Sequence, residues 1–226
     1  KLSDKLIVCS IFAKKEIKQL LKLNNKKIFS INLGLDFNFV KCSKNKNYLK
    51  SFNYKNYALS ILSCTRYHNI INILKAFKLL KSDIKINLRL VLVMQILDKK
   101  YYNEIKKFID QNFKENEILI YNSIDKNYLI NLYKKANFYV FTSYNEVFGF
   151  TTLEAMSQKC PVITSRKSAL PEINGQASIY FDPDIDDTIL IEPEHKEILA
   201  NEKEWEKFLE ETDYKCVESC EENDDT

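Results

Sequence analysis

The sequence predicts an α/β protein, a Rossmann-like doubly wound parallel sheet covered by helices on both faces. Three observations predict it. Apolar runs of strand length alternate with helix-period segments from Tyr57 to Phe181. The runs are nearly continuous rather than alternating, as strands buried on both faces must be. Hydrophobic residues make up 45% of the 226-residue chain, enough for a core of that kind and too many for wholesale disorder.

The elements follow in order. "DKLIVCS" reads as a strand and "AKKEIKQLLKL" as a helix. "KKIFSINLGLDFNFV" reads as an extended piece with a glycine turn at Gly34. Residues 1–40 thus form one βα unit and a linker, separate from the main sheet. "KCSKNKNYLKSFNYKN" is polar and reads as loop. "YALSILSC" opens the regular alternation. "NIINILKAFKLLK" follows, with Ile70, Ile73, Leu74, Phe77 and Leu80 on one helical face. "LRLVLVMQ" is the next strand and "YYNEIKKFIDQNF" the next helix. "NEILIYNS" and "KNYLINLYKKA" repeat the unit, as do "NFYVFTS" and "FGFTTLEAMSQK". "CPVITS", the turn or short helix "ALPEIN" begun by Pro171, and the short strand "ASIYF" close it. Past Asp182 the pattern stops. "EKEWEKFLEE" reads as an acidic helix with Trp205, Phe208 and Leu209 on one side, and "CEENDDT" as a frayed end. The expected units are therefore 1–40, a Rossmann-like domain over 41–185, and an acidic, partly helical tail over 186–226.

The net charge of +3 conceals a division. Residues 1–181 hold 30 Lys and Arg against 13 Asp and Glu, a balance of +17; residues 182–226 hold 4 against 18, a balance of −14. A basic body suits an anionic ligand such as a phosphate, a nucleotide or an anionic membrane surface. Lysine spread over a solvated face is the plainer reading of the same charge. Six cysteines show no C-x-x-C pair and no histidine partners at zinc spacing, so free thiols in a cytosolic protein are expected. The apolar run "LRLVLVMQIL" is too short to span a bilayer and contains Arg89. "LIVCSIFA" imitates the apolar part of a signal peptide, but Asp4 precedes it and a lysine-rich helix follows. The chain begins with Lys rather than Met, and a piece of a longer protein is expected.

Parallel sheets bind ligands beyond the carboxyl ends of their strands. The loops after Cys64, Gln95, Tyr121, Ser143 and Ser165 are therefore expected to line any site. Gly149, one of three glycines, opens the helix after the fourth of these strands. Free N–H groups and the positive end of the helix dipole there favour a phosphate. A tight strand-to-helix turn needs no ligand and explains the glycine equally. Glu146 and Glu154 flank it eight residues apart. Spacing alone carries little, since Glu194, Glu202, Glu210 and Glu218 repeat it in the tail.

In this setting "EVFGFTTLEAMSQKCPVITS" resembles the E-x7-E segment of the retaining glycosyltransferases of family 4, which have the two-domain GT-B fold. "ILSCTRYHNIINILKAF", "NEILIYNSIDKNYLINLYKKANFYVFTSYNE" and "SALPEINGQASIYFDP" fall in family order, and the likeness covers about residues 1–185. The resemblance implies that residues 1–40 are a remnant of the N-terminal acceptor domain with its linker, and that 41–185 bind the nucleotide sugar. It implies sugar transfer from a nucleoside diphosphate sugar with retained configuration, in polysaccharide, lipopolysaccharide or glycolipid synthesis.

It also implies roles for single residues. Arg66 would hold the donor diphosphate and, with Glu146, act in catalysis. Glu146 would meet sugar hydroxyls. The backbone of Phe148, Gly149 and Phe150 would meet sugar and diphosphate, and Glu154 both ribose hydroxyls. Asn122, Ser123 and Ile124 would touch the base. His68 stands nearest the slot of a family lysine that shares the diphosphate, with Lys75 further along the helix. Asn122 and Lys159 replace family glycines. No metal or other cofactor is expected, since the arginine and helix terminus can carry the leaving charge. The implied partners are the donor, a saccharide or lipid-linked acceptor, an anionic membrane surface and a missing acceptor domain; nucleic acid is not among them. The implied location is cytoplasmic, peripheral to the inner membrane face. The alternatives are a non-catalytic nucleotide-binding or regulatory module working with a separate acceptor chain, and a glycoside hydrolase. The hydrolase needs two carboxyls facing across one bond, a poor fit to one on a loop and one deeper in a helix.

Overall fold

The computed structural model describes residues 4–24, 27–36, 39, 56–84 and 87–184. The acidic tail and most of 37–55, with the readings made for them, lie outside the described residues.

Six parallel strands form the main sheet: β3 (Tyr57–Cys64), β4 (Arg89–Ile96), β5 (Ile118–Tyr121), β6 (Phe138–Phe141), β7 (Val162–Ser165) and β8 (Ile179–Phe181). Their order is β5-β4-β3-β6-β7-β8. The chain builds outward from β3 through β5, then returns to the other side at β6. The order therefore reverses between β3 and β6, which is where such sheets place a crevice. The helices α2 (Ile70–Ile84), α3 (Lys99–Asn112), α4 (Lys126–Lys135), α5 (Phe150–Ser157) and α6 (Leu170–Asn174) connect consecutive strands. An α/β architecture of this kind is what the alternating sequence predicts.

The sheet is the core. Every residue of β6 and β7 is buried, and β4 is buried from Leu90 to Met94. Val, Ile, Leu and Phe serve both faces there, which is why no alternation is visible in the sequence. Two buried tyrosine hydroxyls within this core find partners: Tyr57 donates to the Leu132 carbonyl at 2.7 Å and Tyr139 to the Ile61 carbonyl at 3.0 Å.

The amino-terminal unit is separate. β1 (Leu6–Val8) and β2 (Ile28–Ser30) pair in parallel as a two-stranded sheet, joined through α1 (Ile11–Leu21). The extended piece read from the sequence thus holds a short strand. Ile7, Leu20, Leu21 and Phe29 of this unit are exposed, Leu20 to 80%. No described helix is long and apolar enough to cross a membrane.

Candidate functional site

The cleft at the switch point

A cleft of about 530 Å³ opens at the carboxyl ends of β3, β4, β5 and β6. Ser63, Tyr67 and His68 line it from the end of β3 and the turn beyond, Gln95 from β4, and Asn122 from past β5. Phe141 and the run Glu146–Thr151 line it from the β6–α5 side, and Cys9 and Leu33 from the amino-terminal unit.

The β6–α5 loop is shaped by contacts on both sides. Gly149 is the N-cap of α5 at φ +90, a conformation L side chains rarely adopt. An added Cβ would also stand 2.6 Å from Leu170, which is fully buried. The glycine is therefore required by a tight turn against α6 as well as by any ligand. The Thr152 hydroxyl donates to the Gly149 carbonyl at 2.7 Å. Upstream, the Glu146 N–H donates to the Ser168 hydroxyl at 2.8 Å, and the Ala169 N–H to the Glu146 carbonyl at 3.2 Å. The loop after β7 thus holds the loop after β6 but does not line the cleft.

Where the candidate residues stand

His68, Asn122, Glu146, Phe148, Gly149 and Phe150 share the cleft wall. Arg66, Ser123, Ile124 and Glu154 are not among the lining residues. Arg66 begins the short 3₁₀ turn Arg66–His68. Its guanidinium donates to Glu104 at 2.7 Å and lies 5.0 Å from the Tyr101 ring centre. Both partners of the ion pair are well exposed, so the pair is weak and exchangeable.

Glu154 lies on the second turn of α5. The Tyr133 hydroxyl donates to one of its oxygens at 3.0 Å. Burial pushes the Glu154 carboxyl above the usual carboxylate range, and that hydrogen bond offsets part of the rise. Such a carboxylate gains most when an O–H donor arrives.

Glu146 and His68 meet. The His68 ring is 5% exposed, with Nε2 3.3 Å from Glu146 Oε1 and Nδ1 2.8 Å from the Thr65 hydroxyl. Asn122 does not occupy the left-handed region, although Lys159 does, at φ +59. Ser63 and Gln95 are lining residues that the loop-based reading passed over. Each is a polar residue next to the carboxyl end of a mostly apolar strand.

Similarity to known proteins

Residues 43–215 match the family described as glycosyl transferases group 1. A curated relative, the O-antigen chain mannosyltransferase B of Escherichia coli, is 29% identical over 136 residues. The match takes in 60% of this chain and 35% of the relative, so the chain spans about a third of that protein. A glycosyltransferase structure from Rickettsia africae superposes with a TM-score of 0.76 at 19% identity, covering 92% of this chain and 57% of the other. The C-terminal domain of a group 1 glycosyl transferase from Francisella tularensis gives 0.66 at 19% identity, covering 81% of this chain and 96% of that one. These superpositions show a shared fold, in agreement with the parallel α/β class read from the sequence.

Proposed function

The chain belongs to the glycosyl transferases group 1 family, and from that membership we propose that the cleft binds a nucleoside diphosphate sugar and presents it for transfer with retained configuration. The observation that carries the reading is the cleft itself: it opens at the topological switch point, with Glu146 and the amino end of α5 on one wall.

The residue roles are those the resemblance implies, and each suits the chemistry of its side chain. Phe150 and Thr151 begin α5, where unpaired N–H groups and the helix dipole favour a diphosphate. Arg66 would leave Glu104 for that diphosphate and add two parallel donors. Together they stabilise the negative charge that develops as the glycosidic bond to phosphate breaks. Glu146 accepts hydrogen bonds from sugar hydroxyls. Glu154 accepts both ribose hydroxyls, since one carboxylate can take two O–H donors. Asn122, Ser123 and Ile124 lie past β5, on the side proposed for the base.

Acceptor chemistry belongs to the whole protein. The exposed apolar residues of the β1–α1–β2 unit would pack against the remainder of an acceptor domain, which receives a saccharide or lipid-linked hydroxyl. The Escherichia coli relative makes a mannosyl donor the first to try.

Calorimetry with UDP, GDP and ADP tests the reading on this chain and on Glu154→Ala. One diphosphate should bind, and the variant should lose about 10- to 100-fold, the worth of hydrogen bonds to a charged group. Binding of none of the three overturns the donor-site reading, and equal binding by the variant overturns the ribose role.

A further inference from the structure

The resemblance places His68 where a lysine would share the diphosphate, but its surroundings point elsewhere. The ring is almost completely buried, between Tyr67 with ring centres 4.2 Å apart and Phe141 at 5.8 Å. Both ring nitrogens already have protein partners. Nδ1 stands 2.8 Å from the Thr65 hydroxyl and Nε2 3.3 Å from Glu146 Oε1. The backbone is held as well. The His68 carbonyl accepts the Thr142 hydroxyl at 2.6 Å, and the Tyr67 carbonyl accepts the Tyr144 N–H at 2.8 Å. The turn after β3 and the loop after β6 are thus one unit, with the imidazole as one side-chain link between them.

We infer that His68 is a positioning residue for Glu146 rather than a ligand of the diphosphate. This rests on the proposal that Glu146 meets the donor sugar. The carboxylate of Glu146 stands on a loop, where a free side chain would sample several rotamers. Two anchors restrict it. Ser168 accepts from its backbone N–H, and His68 Nε2 stands 3.3 Å from its carboxylate, within reach to donate. For that donation Nε2 must carry the proton, while Nδ1 exchanges a hydrogen bond with Thr65. One oxygen of Glu146 then has His68 beside it, which leaves the other for the proposed sugar. A family lysine in this slot supplies charge to phosphate; a buried histidine bridged at both nitrogens supplies orientation.

The role separates sugar from nucleotide, and the test uses that. Gln carries an N–H donor near the position of Nε2, whereas Asn ends near Nδ1. His68→Asn keeps the Thr65 side and loses Glu146. It should weaken binding of the nucleotide sugar about 10-fold while leaving the matching nucleoside diphosphate within about 2-fold of the wild type. His68→Gln should restore most of the sugar-dependent affinity. Equal losses for Asn and Gln, or a loss shared by the plain diphosphate, overturn the inference. The first outcome marks a packing role and the second a phosphate ligand. Nitrogen-15 spectra of the ligand-free chain supply a readout independent of any ligand. With only two histidines, His68 and His195, the assignment is direct. A proton on Nε2 is expected, and its absence overturns the pairing. If the wild type binds no diphosphate yet Nε2 is protonated, the donor-site reading falls and the His68–Glu146 pair stands.

Discussion

Lys159 stands where the backbone asks for glycine. It follows α5 at φ +59, its N–H donates to the Met156 carbonyl at 2.9 Å, and the Cys160 N–H reaches the Ala155 carbonyl at 3.0 Å. That is a Schellman closure with a lysine in the left-handed position. The side chain is exposed, so little contact is lost when it is removed. Lys159→Gly should therefore raise stability by about 0.5–1 kcal/mol, the left-handed penalty less the entropy that glycine loses on folding. Chemical denaturation measures it, and an unchanged midpoint would show that the strain is absorbed elsewhere. Glu154 gives the opposite lesson. Its folded pKa lies above its unfolded value because burial disfavours the charge. Its contribution to stability is then best below the unfolded pKa and is lost as pH rises through the folded one. Glu154→Gln should melt higher than the wild type at pH 7, with the advantage closing below about pH 4. Nucleotide should reverse the ranking at pH 7 by stabilising the wild type more than the variant. Melting curves across pH, with and without the bound diphosphate, check both halves. Gly149 was legible in the sequence because the chain spends only three glycines. The contact that requires it, with Leu170, was not legible, because a buried neighbour from the next helix leaves no separate mark on residue type.

At the level of elements, the docking of α1 depends on residues far away in the chain. Ser10 is its N-cap, accepting the Ala13 N–H at 3.0 Å and donating to the Val147 carbonyl at 2.7 Å. The Glu172 carboxylate accepts the N–H groups of Ile11 at 2.7 Å and Phe12 at 2.9 Å. The first three free amides of the helix are thus satisfied, two of them by a side chain 160 residues away or more. A carboxylate there also meets the positive end of the dipole. Val147 belongs to the loop that carries Glu146, so the same contacts bring Cys9 to the cleft wall. Glu172→Ala should cost about 1–2 kcal/mol locally and speed amide exchange at Ile11 and Phe12 by about 10-fold or more. Exchange in β3 and β4 should stay as it is. Ser10→Ala should add about 1 kcal/mol through the lost cap. Uniform acceleration through the sheet would instead mean that the unit and the sheet open together. The strands and long helices were legible because period and apolarity are local properties. The bond from Glu172 to α1 was not, because a glutamate behind Pro171 reads only as first-turn chemistry of its own short helix.

For the whole molecule, a nucleotide site and a transferase are different claims. The chain covers about a third of one curated relative and 57% of one solved glycosyltransferase. The donor binding proposed for this cleft draws on the walls at β3 to β6. Transfer also needs a second surface that holds a hydroxyl against the anomeric carbon and keeps water out. Here the amino-terminal unit contributes Cys9 and Leu33 to the cleft, while Ile7, Leu20, Leu21 and Phe29 face outward. Their exposure fits a surface meant for further packing. Placement of an acceptor is worth orders of magnitude in rate, since positioning alone supplies several kcal/mol of the barrier. The 226-residue chain should accordingly bind a nucleoside diphosphate while transferring sugar at least about 100-fold more slowly than the 1–10³ s⁻¹ common among enzymes. Release of diphosphate from labelled nucleotide sugars, with and without simple saccharide acceptors, measures this directly. Acceptor-dependent release at ordinary enzymatic rates would show that the cleft completes itself with what this chain already carries.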